Sequence, residues 1–192
     1  MATTQPIRNM EDLDALKNYY LTQKPNLRNY ALICTGINTA LRIGDILHLV
    51  WADVFDFDAN AFRKHLVVTE RKTGKKNMIV INDSMLDALT RYKNELSTVL
   101  PEHFIFFGRH PETPISRTQA YRIIKQAATA LHLPDNISCH SLRKTFGYHA
   151  WVSGASPAVL MIIYNHSSFQ ITKRYLGIEQ DDKDQIFKNL NL

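Results

Sequence analysis

Apolar residues return at helical spacing near the start of the chain, where Met10, Leu13, Leu16, Tyr19 and Tyr20 line one face. That pattern predicts a helix over 10–23, broken by Lys24, Pro25 and Asn26. A second helix is expected from about Leu27, continuing into TALRIGDILHLVWADV. There Leu41, Ile46, Leu47, Leu49 and Val50 form the buried stripe, and Arg42 stands at its start. Around 54–57, and again over 65–81, the period shortens to two. HLVVTE, KTGK and NMIVI read as a β-hairpin, with Gly74 supplying the permissive turn position. Ser84 followed by Asp87, with the stripe Leu86, Leu89, Tyr92 and Leu96, predicts a capped amphipathic helix that Pro101 stops. Ser116 opens another helix, running to Leu131 before Pro134. From His140 onward the pattern gives short helices broken near 154–157, 165–168 and Gly177. The expected class is mainly α with a small antiparallel β-sheet (α+β).

At 192 residues the chain suits one domain, and folding at that size buries roughly 70% of the extended surface without disulfide or metal staples. No repeat or low-complexity linker divides it. The two cysteines, Cys34 and Cys139, lack CxxC spacing and read as reduced thiols of a cytosolic protein. No apolar run reaches signal-peptide or membrane-span length, so a cytoplasmic, nucleoid-associated location is expected and no membrane partner. A net charge of +5 and a pI of about 9.2 favour a polyanionic partner, though only modestly.

The last third adds chemistry. His140, Arg143, His166 and Tyr175 fall within CHSLRKTFGYH…YNHSSFQITKRYLG. Breaking a phosphodiester without a metal needs a nucleophile, cations for a doubly charged transition state and an acid for the leaving oxygen. A phenol attacking phosphorus leaves a phosphotyrosine ester that stores bond energy for religation. Forming the phenolate at neutral pH costs about 4 kcal/mol for a pKa of about 10, a cost that neighbouring His and Arg residues lower. His140 and Arg143, three apart on a helical pattern, share one face. Arginine holds two phosphate oxygens at once and never loses its charge. Metal-dependent hydrolysis is disfavoured: HExxH, a paired-Asp cluster and CxxC are all missing, and neither a metal nor a cofactor is expected.

Taken with ALRIGDIL around Arg42 and RKTGKK around Lys72, this stretch resembles the catalytic domain of the tyrosine recombinase (phage integrase) family, from roughly Leu32 to Gly177. The HSS…T..Y spacing sets Tyr175 nine residues after His166, with Ser167 or Ser168 as the N-cap between two helices. The family more often has Gly before this histidine; Asn165 here also tolerates a left-handed helix end. The resemblance implies that Tyr175 is the nucleophile, that Arg42, His140 and Arg143 hold the phosphate, and that His166 assists. It further implies that Lys72, directly before Thr-Gly, protonates the 5′ oxygen, and that Asp45 orients arginine side chains. Further expected DNA contacts are Arg117, Gln119 and Arg122 on the helix after Ser116, which an exposed amphipathic helix explains almost as well, and Arg71, Lys75, Lys76, Lys144, Arg63 and Lys64; His149 is expected to face inward.

The boundaries that follow are a short helical extension over 1–27 and the catalytic domain over 28–192. Most integrases carry an N-terminal clamp, so weak, salt-sensitive binding and help from an accessory DNA-bending protein are expected. The implied activity is site-specific recombination or integration of a mobile element through a 3′-phosphotyrosine. Partners are double-stranded DNA and further copies of the chain, from dimer to tetramer in a synapse. A noncatalytic DNA-binding module and a type IB-like topoisomerase stay open as alternatives. The tail, with Ile178, Ile186, Phe187 and Leu190, packs on its own core or docks onto a neighbour.

Overall fold

The computed structural model describes residues 4–133 and 136–190. Pro134, the expected helix stop, lies outside them. In chain order the elements are α1 (Met10–Thr22), α2 (Leu27–Thr39), α3 (Ile43–Ile46), α4 (Trp51–Val54), β1 (Phe55–Asp56), β2 (Ala61–Phe62), β3 (His65–Thr69), β4 (Lys76–Val80), α5 (Asp83–Glu95), α6 (Arg117–Ala130), α7 (Cys139–Val152), α8 (Pro157–Tyr164), α9 (Phe169–Leu176) and α10 (Ile178–Asn189). The class is the expected one, mostly helical with small antiparallel sheets. β3 and β4 pair from His65 with Val80 to Thr69 with Lys76, and Gly74 between them has φ +68°. A second two-stranded ribbon, β1 with β2, pairs Phe55 with Phe62.

Two hydrophobic clusters organise the packing. The larger gathers α1, α2, α5 and α6 around Leu16, Tyr20, Leu32, Trp51, Leu89 and Ile124. The smaller collects Ala40, Leu160, Tyr164, Leu176 and Ile178. α7 runs between them, placing Leu142 in the first cluster and Phe146 and Trp151 against the second. At Gly147 a Cβ would lie 2.5 Å from both the Tyr164 hydroxyl and Leu176 Cδ2, so only glycine lets α8 and α9 come this near. α1 belongs to the main core, with the Tyr20 hydroxyl donating to the Ile123 carbonyl at 2.9 Å, and no break in packing marks residue 27.

Several expectations change. The helix expected to run through Arg42 is divided, because Ala40 takes a left-handed conformation (φ +54°) that ends α2 and starts a new turn at Ile43. α5 is capped by Asn82, whose side chain accepts from the Met85 N–H at 3.0 Å, and not by Ser84; it ends at Glu95, well before Pro101. The tail folds as α10 beside α9. Only Ile178 of its apolar set is buried, whereas Ile186, Leu190 and the 79%-exposed Phe187 face outward.

An extended segment before α1 ties both ends of the chain to α7. The Ile7 N–H donates to Thr145 Oγ1 at 2.9 Å, and its carbonyl lies 2.9 Å from His149 Nε2. Arg8 bonds the Gly177 carbonyl and pairs with Asp181 of α10, both at 3.1 Å. His149 therefore faces inward, as expected.

Asn82→Ala should remove about 1 kcal/mol of stability, lowering Tm by roughly 2–4 °C, whereas Asn82→Asp, which keeps the capping oxygen, should retain most of it. Thermal melts of the two variants measure this, and equal losses would rule out the cap as the cause.

Candidate active site

The divided helix brings the expected residues together. Because Ala40 turns left-handed, its carbonyl faces α7 and accepts a hydrogen bond from Arg143 Nη1. Arg143 is 3% exposed; its Nη2 reaches the Tyr164 carbonyl at 3.5 Å, and its guanidinium lies 4.7 Å from the centre of the Tyr164 ring. No carboxylate pairs with it among the described residues. Carbonyl dipoles and an aromatic face hold this charge, which suits an arriving anion better than an occupied ion pair would.

Tyr175 lies on α9, partly buried, with its ring centre 5.3 Å from that of His166 and 5.5 Å from that of Tyr164. Burial raises the phenol's pKa; a hydrogen bond and the charge of Arg143, with the charge of Arg42, pull it back down. The loop before α9 forms as anticipated: Asn165 is left-handed (φ +55°), and Ser168 caps α9 through the Ile171 N–H at 3.3 Å. Thr172 is buried, with its hydroxyl 3.1 Å from His166 Nδ1 and 3.3 Å from the Ser168 carbonyl. A hydroxyl that donates to Ser168 must accept from Nδ1–H, which assigns the tautomer and leaves Nε2 with the lone pair.

His140 sits exposed in the first turn of α7. Loss of water around its ring, then the charges of Arg143, Lys144, Arg42 and Lys72, hold its pKa below the histidine norm. His166 shifts the same way, first by burial and then by Arg143 and Arg42. Arg42, Lys72, His140, Arg143, His166 and Tyr175 thus share one electrostatic environment.

Arg42 caps α3 and forms an ion pair with Glu70, which is 1% exposed. This acid was absent from the sequence-based set, although a signal was there. In HLVVTE the inward positions are Leu66, Val68 and Glu70, so a charge occupies an apolar register and must have a partner. Asp45, expected to orient arginine side chains, instead accepts the Arg71 backbone N–H at 2.9 Å and fixes the β3–β4 turn to α3. Lys72 is exposed in that turn, without hydrogen bond or ion pair among the described residues.

The expected DNA contacts separate. Arg71, Lys76 and Arg122 are exposed. Arg117 lays its guanidinium against Gly44, close enough that a Cβ there would lie 2.5 Å from Nη2. Lys75 donates to the Ile162 carbonyl in the last turn of α8, where a cation is favoured. Lys144 is a correction, since it is buried rather than turned to the surface. It donates to the Thr4 carbonyl at 2.6 Å, lies 5.2 Å from the Tyr175 ring centre, and has its pKa lowered by burial and then by Arg8. Among the described residues no cluster of His, Cys, Asp or Glu could hold a metal, and no helix is long and apolar enough to cross a membrane.

A mostly helical domain that surrounds one tyrosine with two arginines and two histidines has the architecture of a tyrosine recombinase catalytic domain. The chain belongs to the phage integrase family, whose model matches residues 9–181. It is 42% identical over 188 residues to the probable integrase/recombinase YoeC of Bacillus subtilis, covering 98% of this chain and 97% of that one. It is 27% identical over 180 residues to the tyrosine recombinase XerD of Corynebacterium glutamicum, covering 92% of this chain but 57% of the relative. Measured against such Xer proteins, it spans about half their length. Among solved structures, XerA recombinase superposes with a TM-score of 0.75 at 18% identity, covering 99% of this chain and 67% of that one. A lambda integrase dimer bound to a core site gives a TM-score of 0.68 at 17% identity, covering 92% and 49%.

Both imidazoles take up protons less readily in the folded chain than in the unfolded one. As pH falls through about 6.5, the unfolded state gains protons that the fold resists, so stability is lost on acidification. Melts at about pH 7.5 and about pH 5.5 should show this loss, and His140→Gln combined with His166→Gln should shrink it. An undiminished loss in the double variant would place its source elsewhere.

Proposed function

We propose that this chain is a site-specific DNA recombinase or integrase of a mobile element, cutting and rejoining strands through a 3′-phosphotyrosine on Tyr175. The observation that carries this reading is Arg143, a buried guanidinium without an acid partner among the described residues, beside the Tyr175 phenol. The Tyr175 oxygen attacks the scissile phosphorus and loses its proton toward the free Nε2 of His166. Arg42, Arg143 and His140 hold the nonbridging oxygens as charge builds. The bond from phosphorus to the 5′ oxygen breaks, and the Lys72 ammonium gives that oxygen its proton. Religation runs the same steps in reverse.

Double-stranded DNA reaches the pocket across a rim carrying Arg71, Lys76, Arg117 and Arg122, whose phosphate contacts make binding fall steeply with salt. Lys75 joins them when it leaves Ile162. Recombination needs two sites, so copies assemble on DNA from dimer to tetramer, assisted by an accessory DNA-bending protein. The activity places the chain in the cytoplasm with the nucleoid.

Covalent trapping tests the reading. Cells expressing the chain are denatured, and DNA that stays attached to the protein is sequenced, with Tyr175→Phe as control. Fragments enriched only with the tyrosine present are expected, and they also report the target site. Equal recovery from both samples would sink the nucleophile assignment in favour of a noncatalytic DNA-binding module.

A further inference from the structure

Glu70 sits where a phosphate-binding pocket should least tolerate a negative charge. An acid beside Arg42 weakens the pocket's attraction for an anion, and burying a carboxylate is costly unless it is paired and hydrogen-bonded. The pairing is complete: Oε2 takes Arg42 Nη1 and, at 3.3 Å, Thr73 Oγ1, while Oε1 takes Asn77 Nδ2 at 2.6 Å. The backbone closes the same loop. The Glu70 N–H donates to the Lys75 carbonyl at 2.9 Å, and the Gly74 N–H donates to the Glu70 carbonyl at 2.8 Å. Residues 70–75 are therefore one tight turn, pinned at its base by Glu70 and carrying Lys72 near its apex.

Two consequences follow from this geometry. Arg42 spends one edge of its fork on Glu70, yet its side chain stays 26% exposed and keeps donors for a phosphate. The charge of Glu70 is balanced by Arg42 and its oxygens are hydrogen-bonded by Thr73 and Asn77, so it does not capture Lys72, only two residues away. Resting on the reading of Lys72 as the acid, we propose that Glu70 is a positioning residue that joins the phosphate clamp to the acid-bearing turn. When Arg42 settles on the scissile phosphate, the shared carboxylate and Thr73 carry the turn with it and bring Lys72 to the leaving oxygen.

The test uses the full chain and a nicked suicide duplex of the sequence recovered by trapping, with either oxygen or sulfur at the bridging 5′ position. A thiolate leaves without a proton donor, so a defect confined to acid delivery disappears on sulfur. Glu70→Gln should slow single-turnover cleavage of the oxygen substrate about 10- to 100-fold, and stay within about threefold of the unaltered chain on sulfur. Lys72→Ala should behave alike, and the double variant should be no slower than Lys72→Ala alone, the non-additivity expected of coupled residues. Thr73→Val, which keeps the Glu70–Arg42 pair but removes the hydroxyl that donates to Glu70 and accepts the Lys75 N–H, should show the same sulfur-relieved slowing, and it decides the matter if Glu70→Gln does not fold. Equal slowing on both substrates, or none on either, overturns the proposal. Inactivity of the unaltered chain on both substrates would sink the recombinase reading and this inference with it.

Discussion

The placement of Arg143 is the constraint on which the rest of the pocket depends. A guanidinium at 3% exposure cannot stand in apolar surroundings without partners, and the chain supplies them from two elements: the Ala40 carbonyl at the end of α2 and the Tyr164 carbonyl at the end of α8, both residues of the smaller cluster. Those bonds tie the ends of α2 and α8 to α7. The Tyr164 hydroxyl adds a third strand to the knot by donating to the Arg143 carbonyl at 2.7 Å. Because Arg143 is held within this cluster, its position is as rigid as the packing around it.

The same cluster holds Tyr175 beside that guanidinium. Taking the Tyr175 ring out of water favours the neutral phenol, and the two arginines oppose that shift. The balance leaves the pKa raised and the hydroxyl protonated at rest, with Arg143 and Arg42 offsetting part of what burial costs a phenolate. His166 completes the arrangement from a different helix boundary. The left-handed Asn165 and the Ser168 cap turn the chain so that an imidazole, its tautomer set by Thr172, stands edge-on to the tyrosine.

Helical periodicity exposed most of the helices, because a stripe such as Leu86, Leu89 and Tyr92 needs no tertiary information to be recognised. It failed at Arg42, where the stripe Leu41, Ile46, Leu47 and Leu49 continues through a left-handed alanine. Apolar spacing reports burial, and burial does not reveal a break made by one dihedral angle. Tyr175, His166, Arg143 and His140 were legible through their spacing and residue types. For Glu70 the sequence showed only a charge in an apolar register, and its partner, Arg42, lies 28 positions earlier in the chain. Lys144 misled for the opposite reason: a basic residue beside an arginine looks like surface, and only the strand of residues before α1 covers it. Sequence patterns reach neighbours on one element and miss those that the fold supplies from far away.

That covering strand has a meaning in time as well as in space. Thr4 and Ile7 meet Lys144 and Thr145 across 140 and 138 positions, and Arg8 meets Asp181 across 173. Such closures come late in folding, because distant segments meet only after the chain between them has been ordered. During synthesis the opening residues must wait for almost the whole chain to emerge before α7 and α10 gain this backing. A chain stopped short of Asp181 lacks this closure, so the pocket around Arg143 and Tyr175 gains its full support only late in synthesis.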